Sequence, residues 1–249
     1  LMYFMTRGES WLGTVKAKTR PLKEGVTRFE VNHDPTRLEL GRYGGLIDTL
    51  AAWRTILAAL SLIGRDPGRY EGVGYGNISA RLGPFPGRKG RRPFLVSGTQ
   101  TSGLECVGLD DFSRVNTYDW RRNKVESQGA CKPSSEAMTH GSIYDLGGHI
   151  RFVFHAHCPL LWQAAPALKI PTTDPDVVYG TPEMAAEILR LTHEDRLWET
   201  QLLSMAGHED GIVAFGRTAD EAGHILTRAL AKAYALRFGR SGQLCRSDR

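Results

Sequence analysis

The sequence contains few cysteines, no closely spaced cysteine pair and no long apolar run. Its four cysteines are scattered over 249 residues without a Cys-x-x-Cys spacing, which is not typical of a disulfide framework. We therefore expect a protein of the reducing cytoplasm. Arg, Asp or Gly interrupts the apolar runs well short of the roughly 20 residues that a membrane-spanning helix needs, so no membrane span is predicted.

The chain carries only a mild excess of positive charge. There are 32 basic against 27 acidic residues, a net charge of +5. A basic run at Arg88, Lys89, Arg91 and Arg92 has no accompanying aromatic platform or nucleic-acid motif, so we interpret it as a solvated hairpin tip. We expect no nucleic-acid or membrane partner, and a small anionic substrate fits the charge equally well.

The length and composition are typical of one ordinary globular domain. Hydrophobic residues make up 41% of the chain and charged residues 24%. We predict an irregular N-terminal arm over residues 1–44, a single domain over residues 45–238, and a flexible, polar tail over residues 239–249.

Apolar periodicity and capping residues predict the main elements of that domain. Leucines and a tryptophan at spacings of three and four predict a first helix. Capping residues and prolines mark the starts of three later helices. The predicted elements are helix Ile47–Leu62, a helix opening at Ser134 or Ser135, strand Ile150–His157, a helix from Thr181-Pro182 to about Thr192, strands Leu202–Met205 and Ile212–Phe215, and a helix after Thr218 to about Phe238.

Two histidines end the predicted central strand. Residues two apart on a strand project from the same face, so His155 and His157 would point toward one spot. Two imidazole nitrogens about 2 Å from a common point can begin a zinc, iron or manganese site, with a third ligand from elsewhere. A half-buried pair without a metal fits the spacing equally well.

Other polar residues occupy positions where functional side chains are common, although each of them also fits a purely structural role. His208 sits in a glycine-flanked turn between two strands and fits a functional or a plain loop histidine. Ser134 and Ser135 precede a helix, where free backbone N–H groups can seat an anion. Glu136 would lie in the first helical turn, where it could simply compensate the helix dipole. His140 lies on the same face of that helix, and we expect it to pack there or to support a site residue rather than to bind a metal.

Six short motifs follow one another in the order of a known family. They are GNISAR, a Ser-Gly turn, KPSSE with a histidine four residues later, HAH, YGT, and GH followed by GIVAFG and a capped helix. In this order, over roughly residues 45–238, the chain resembles the class II aldolase/adducin-head family. The resemblance implies a three-layer α/β/α sandwich around a mainly antiparallel central sheet, and commonly a homotetramer with the site at a subunit boundary.

The resemblance also implies roles for individual residues. A divalent metal, zinc first and manganese or iron as alternatives, would be bound by His155, His157 and His208. Glu136 would be an additional ligand and the acid/base. Substrate phosphate would be held by Asn77, Ser97, Gly98, Ser134 and Ser135.

The expected activity is a metal-dependent lyase reaction through a metal-stabilised enolate. It would be aldol cleavage of a sugar phosphate, or a related cleavage or decarboxylation of a small anionic substrate. The family fold also hosts epimerases, dehydratases, oxygenases and the non-catalytic adducin head, so the fold alone does not fix the reaction.

Three departures from the family pattern bear on the substrate. The loop between Ile170-Pro171 and Tyr179 is short and lacks the segment that carries the family's cross-interface tyrosine. Gly74 stands where a phosphate-binding threonine is expected, and Glu209-Asp210 are inserted after His208. We expect the two acidic residues to orient His208 or, alternatively, to add an acid/base.

Overall fold

The computed structural model describes residues 24–240 of the chain. The strands are β1 (Glu30–Asp34), β2 (Gly64–Arg65), β3 (Gly74–Tyr75), β4 (Asn77–Arg81), β5 (Phe94–Ser97), β6 (Phe112–Asp119), β7 (Lys124–Gln128), β8 (Phe152–His157), β9 (Leu202–Ser204) and β10 (Gly211–Gly216). The helices are α1 (Leu40–Ala59), α2 (Ala137–Leu146), α3 (Pro159–Ala164), α4 (Pro182–Leu191), α5 (Asp195–Thr200) and α6 (Ala219–Arg240).

Eight strands form one large mixed sheet in the order β1-β7-β6-β5-β4-β8-β10-β9. Strand β1 pairs parallel with β7, and the other neighbours in this sheet pair antiparallel. Strands β2 and β3 form a separate two-stranded ribbon. The histidine-bearing strand β8 therefore lies inside the sheet, hydrogen-bonded to β4 on one side and β10 on the other.

Two apolar clusters form the core, and alternate residues along a strand belong to different clusters. In β5, Leu95 joins the cluster with α1, α3 and α6, whereas Phe94 and Val96 join the cluster with α2 and α4. Successive side chains of a strand point to opposite faces, so the helices pack on both faces of the sheet. In β8, Phe154 belongs to the first cluster and Val153 to the second, which puts the odd-numbered residues on the α2 face.

Helix α1 begins seven residues earlier and ends three residues earlier than predicted. Tyr43 and Ile47, one turn apart, are both buried, so packing continues the helix through Gly44-Gly45. At the other end Ser61 adopts a positive φ of 56°, which stops the helix and lets Leu62 enter the core from a turn. The pair Gly44-Gly45 therefore lies in the interior of the helix.

The predicted N-terminal arm contains regular structure where it is described. Residues 30–34 form β1 and residues 40–44 belong to α1, while residues 1–23 lie outside the described residues. At the other end, α6 continues to Arg240, and residues 241–249 of the predicted tail are likewise outside the described part.

The later helices begin close to where the sequence predicts, except that the start of α2 is shifted. Thr181 caps α4 by accepting a hydrogen bond from the Met184 N–H, and Thr218 accepts one from the Glu221 N–H at the start of α6. Helix α2 begins at Ala137 instead of at the two serines, because Ser134 forms a turn in which its Oγ accepts from the Glu136 N–H.

The basic run of residues 88–92 is only partly a solvated tip. Arg92 is buried and donates to the carbonyl oxygens of Gly87 and Tyr144, so it ties the loop to the end of α2. Arg88, Lys89 and Arg91 line a cavity of about 630 Å³. No helix among residues 24–240 is both long and apolar enough to cross a membrane.

Candidate metal centre and anion site

Strand β8 brings the imidazoles of His155 and His157 together on the α2 face of the sheet. Both side chains are fully buried, and their Nε2 atoms are 3.1 Å apart. Two nitrogens each about 2.0–2.1 Å from a tetrahedral ion are separated by about 3.3 Å, so the pair needs almost no rearrangement to share one. The spacing of two residues on a strand thus produces the convergence that the sequence predicted.

His208 reaches the same point from the turn between β9 and β10. The turn is closed by hydrogen bonds from the His208 N–H to the Met205 carbonyl and from the Gly211 N–H to the His208 carbonyl. The Tyr179 ring stacks on the His208 imidazole, with ring centroids 4.2 Å apart. One ligand atom from each of His155, His157 and His208 lies within 4.8 Å of the others.

Burial lowers the pKa of two of the imidazoles, whereas neighbouring carboxylates raise the pKa of the third. Desolvation holds the pKa of His155 and of His157 well below the ordinary range, and neighbouring positive charge lowers each further. Burial also lowers the pKa of His208, but Glu136 and Glu24 raise it by more, so its net shift is upward. Neutral imidazoles are the protonation state that binds a metal.

Glu136 lies directly before α2, fully buried, with its Oε1 3.2 Å from His208 Nδ1. Burial raises the pKa of this carboxyl to about 7, with nearby Glu24 adding to the rise and His208 opposing it. A carboxyl with this pKa can hold or release a proton near neutral pH. Its position among the histidines favours a chemical role over compensation of the helix dipole.

A second carboxylate enters the cluster from a segment that the sequence prediction assigned to a surface arm. Glu24 is only 8% exposed, and its Oε2 is 2.8 Å from His208 Nε2. Its Oε1 is 3.7 Å from His157 Nε2. No local pattern around Glu24 marks it as a site residue, because its partners lie more than 130 residues away in the chain.

The donors present fit a divalent metal ion. Among the described residues, the carboxylate oxygen Oε2 of Glu136 is buried in the cluster without a hydrogen-bond partner. Unpaired buried groups of this kind are costly, and a cation among them would offset the cost. Three imidazoles and nearby carboxylates are a donor set for zinc, manganese or iron.

Asn77 stands beside the metal-ligand candidates. It pairs with His155 across strands β4 and β8 and therefore shares its face of the sheet. Its Oδ1 lies 2.6 Å from His140 Nε2, which makes that nitrogen the protonated one. The Asn77 Nδ2 group is thereby left to donate elsewhere, as an anion site requires.

The chain of hydrogen bonds continues behind His140. Its Nδ1 lies 2.6 Å from Ser79 Oγ, which in turn lies 2.6 Å from the Tyr144 hydroxyl. With Nε2 protonated, the order of donation is Tyr144 to Ser79 to His140 to Asn77. His140 is therefore a positioning residue that fixes the amide of Asn77, in agreement with its predicted supporting place.

The remaining residues of the predicted phosphate site lie near Asn77, but some of their hydrogen-bonding groups are already paired within the protein. Ser97 Oγ accepts from the Ile78 N–H, and the Ser134 N–H donates to the Ser97 carbonyl, which joins the two serine segments. The Gly98 N–H is already bound to the Asp111 carbonyl, so it offers no free donor. Ser134 and Ser135 are each 5% exposed in the turn that precedes α2.

Aromatic residues that the sequence did not single out form a wall behind His157. The Tyr70 ring lies 4.8 Å from the His157 ring at 72°, and its hydroxyl donates to Asp210 Oδ2 at 2.6 Å. Arg69 donates to the hydroxyls of Tyr70 and Tyr75. The inserted Asp210 thus binds Tyr70, Glu209 is exposed, and His208 is oriented by Glu24 and Glu136 instead.

The profile of the family described as Class II Aldolase and Adducin N-terminal domain matches residues 68–233, more than half of the chain. The chain belongs to this family. Among curated proteins, none matches the sequence significantly. The matched range contains the three histidines and Glu136, but it begins after Glu24.

Solved structures of class II aldolases share the fold of this family member. An L-fuculose-1-phosphate aldolase from Thermus thermophilus is 17% identical, with a TM-score of 0.59 over 83% of this chain and 100% of that one. A sugar-phosphate aldolase from Thermotoga maritima is 16% identical, with a TM-score of 0.60 over 82% and 98%. The N-terminal class II aldolase domain of a Thermoplasma acidophilum protein is 15% identical, with a TM-score of 0.51 over 77% and 93%. The large mixed sheet with its helices is therefore a class II aldolase-like fold.

Proposed function

We propose that the protein is a metal-dependent lyase that breaks a carbon–carbon bond next to a carbonyl group in a small anionic substrate. The reaction would be aldol cleavage of a sugar phosphate or a related decarboxylation. The observation that carries this proposal is the convergence of three buried imidazoles with a buried carboxylate, beside an asparagine amide whose N–H groups face away from its partner.

His155, His157 and His208 would hold the metal, for which zinc is the first candidate and manganese or iron are alternatives. A divalent cation supplies the charge that polarises a substrate carbonyl and favours negative charge on its oxygen. The burial of all three histidines excludes bulk water and so strengthens the electrostatic interactions of the site.

The other residues would bind the substrate and move its proton. Glu136 would give or take the proton at the carbon next to the carbonyl, from a carboxylate that is already desolvated. Asn77, Ser97, Ser134 and Ser135 would hold the anionic group, with the N–H groups of Asn77 as the donors that the His140 contact leaves available.

The structure also supports a substrate that differs from those of the sugar-phosphate aldolases. Gly74 offers no side-chain hydroxyl where the family places a threonine, and Gly98 has its N–H engaged with Asp111. A phosphate group would therefore find neither a hydroxyl donor at position 74 nor a free N–H at Gly98. A carboxylate, which needs fewer donors, fits the remaining set, so decarboxylation of a hydroxy-aromatic acid is the second candidate reaction.

Metal analysis and a substrate panel test the proposal together. We expect about one divalent ion per chain in the wild type and its loss in the His155→Ala/His157→Ala variant. The His33→Ala variant, altered at a histidine that contacts Ser127 instead of the cluster, should keep its metal. A full metal complement in the double alanine variant would refute the site.

The panel compares ketose phosphates, followed by aldehyde release, with hydroxy-aromatic acids, followed by carbon dioxide release. We expect one class to turn over and Glu136→Gln to lose turnover while keeping metal. If the loaded protein only inverts a stereocentre, eliminates water or consumes oxygen, the lyase assignment is wrong and an epimerase, dehydratase or oxygenase reaction replaces it. A protein that binds no metal and no substrate would instead be an adducin-like interaction module.

We also propose a homotetramer, as the resemblance implies, in which a neighbouring subunit completes the substrate side of the site. Light scattering of the purified protein measures the mass directly. A monomer that turns over substrate would contradict this assembly.

A further inference from the structure

The N-terminal segment of residues 24–34 places a carboxylate inside the proposed metal centre. Glu24 lies 2.8 Å from Nε2 of His208 and 3.7 Å from Nε2 of His157, and it is 8% exposed. His157 and His208 both belong to the group of three histidines that could hold a metal ion. The Glu24 carboxylate therefore sits where a ligand of the same ion would sit, on the side of His157 and His208.

Several contacts hold this segment in place. The Val26 N–H donates to the hydroxyl of Tyr179, whose ring stacks on His208. The Phe29 side chain is buried in the core on the α2 face. Gly25 has a φ of +73°, and a Cβ there would lie 2.7 Å from the Gln100 amide, so the turn that aims Glu24 inward requires glycine.

The outer end of the segment is anchored to the sheet. Strand β1 pairs with β7 from Glu30 opposite Lys124 to Asp34 opposite Gln128. The Asn123 amide donates to the Arg28 carbonyl at 2.7 Å, and the Glu30 N–H donates to the Asn123 carbonyl at 2.8 Å. Residues 25–34 thus connect Glu24 to a fixed edge of the fold.

We propose that Glu24 is the fourth protein ligand of the metal, an inference that rests on the proposed three-histidine centre. If His208 binds the ion through Nε2, the nitrogen through which His155 and His157 converge, that atom carries no proton and cannot donate a hydrogen bond to Glu24. The carboxylate must then bind the ion itself or remain buried without a partner, and an unpaired buried charge is strongly unfavourable. Binding to the ion is the arrangement that satisfies both groups.

The resemblance implies that Glu136 is both an additional ligand and the acid/base, and this assignment gives the two roles to different glutamates. Glu136 faces Nδ1 of His208, the nitrogen opposite the one that Glu24 faces. A carboxylate on the far nitrogen of a metal-binding histidine orients the ring and is free to exchange protons. Glu24 would supply the negative charge at the metal, and Glu136 would remain available for proton transfer.

Metal affinity of Glu24→Gln, measured by chelator competition with Zn²⁺ and with Co²⁺, tests the proposal. A glutamine oxygen still accepts a hydrogen bond from an imidazole N–H but is a much poorer metal ligand than a carboxylate. We therefore expect affinity to fall by about tenfold or more, with a change in the visible spectrum of the Co²⁺ form. The matched control is Glu30→Gln, an exposed glutamate of the same segment paired with Lys124, which should leave both readouts unchanged.

The outcomes distinguish this proposal from the one it rests on. An unchanged affinity and Co²⁺ spectrum in Glu24→Gln, with binding abolished in His155→Ala, would overturn the Glu24 assignment and leave the three-histidine centre intact. Wild-type affinity in His155→Ala would overturn the centre and the fourth ligand together. If Glu24→Gln does not fold, as judged by thermal unfolding of the metal-free form, Glu24→Asp provides the same comparison, because its carboxylate is one methylene shorter.

Discussion

Acidification from pH 7 to pH 5 should destabilise the protein through His140, a residue that is not a ligand candidate. Burial lowers the pKa of His140 to about 3, and both of its ring nitrogens are within 2.6 Å of neutral partners, Asn77 and Ser79. In the unfolded chain the pKa returns to about 6.5. The unfolded state then binds a proton that the folded state excludes, so stability is fully present above about pH 6.5 and is lost as the pH falls toward the folded pKa.

The size of this effect follows from the two pKa values. Between pH 7 and pH 5 the free energy of unfolding should fall by about 2 kcal/mol from this residue alone. The figure is the same for any folded pKa below about 4, because the folded imidazole is then still neutral at pH 5.

Urea unfolding of the wild type and of His140→Gln at pH 7, 6 and 5 measures the effect. Other titrating groups respond alike in both proteins, so the difference between the two pH dependences isolates His140. We expect the variant to be less stable at pH 7 and to lose about 2 kcal/mol less on acidification. Parallel pH dependences would show that the folded protein protonates His140, which would refute the neutral Asn77–His140–Ser79 arrangement. Nitrogen NMR shifts of the ring provide an independent check, since Nε2 and not Nδ1 should carry the proton.

Two further predictions concern packing and the anion site. In Gly223→Ala the added Cβ would overlap the Trp53 ring between α6 and α1, so we expect the free energy of unfolding to fall by about 1–3 kcal/mol. Gly45→Ala, at an exposed helical position with nothing within 4 Å, should instead raise it by up to about 1 kcal/mol. Equal effects of the two substitutions in urea unfolding would contradict the packing described. Asn77→Asp replaces the donating amide with a carboxylate of the same shape. Once a substrate is known, we expect its KM to rise by about tenfold or more while the metal content stays unchanged. An unchanged KM would show that Asn77 does not contact the anionic group of the substrate.

The parts of the fold that were predictable from sequence are those with strong local signals. Thr181-Pro182 and the Thr218 cap mark helix starts through hydrogen bonds within one turn, and β8 shows an apolar run that ends in two histidines. The start of α1 was missed because its burial depends on α6 and the sheet, which local spacing does not reveal. The parallel pairing of β1 was missed for the same reason, since its partner strand lies about 90 residues further along the chain.

The candidate site likewise contains residues that the sequence predicted and residues that only tertiary contacts bring into place. His155 and His157 converge because the strand itself determines their direction, and the motif order brought His208 and Glu136 into the prediction. Glu24 lies in a stretch without periodicity or motif, and only the contacts of Val26 and Phe29 with distant elements bring it to the cluster. The bonding of Asp210 to Tyr70 likewise depends on a tertiary contact across 140 residues.

The central position of β8 has a consequence for how the protein would acquire its metal. In the unfolded chain His155 and His157 remain close neighbours, whereas His208 joins them only after β8 and β10 have paired in register, with Gly211 opposite His157. The unfolded chain thus offers two nitrogens and the native sheet three, so an ion would bind the native state more tightly and shift the folding equilibrium toward it by mass action. Pairing between strands that are distant in sequence forms slowly. An ion bound early by His155 and His157 would therefore gain its third histidine only after β8 and β10 have paired.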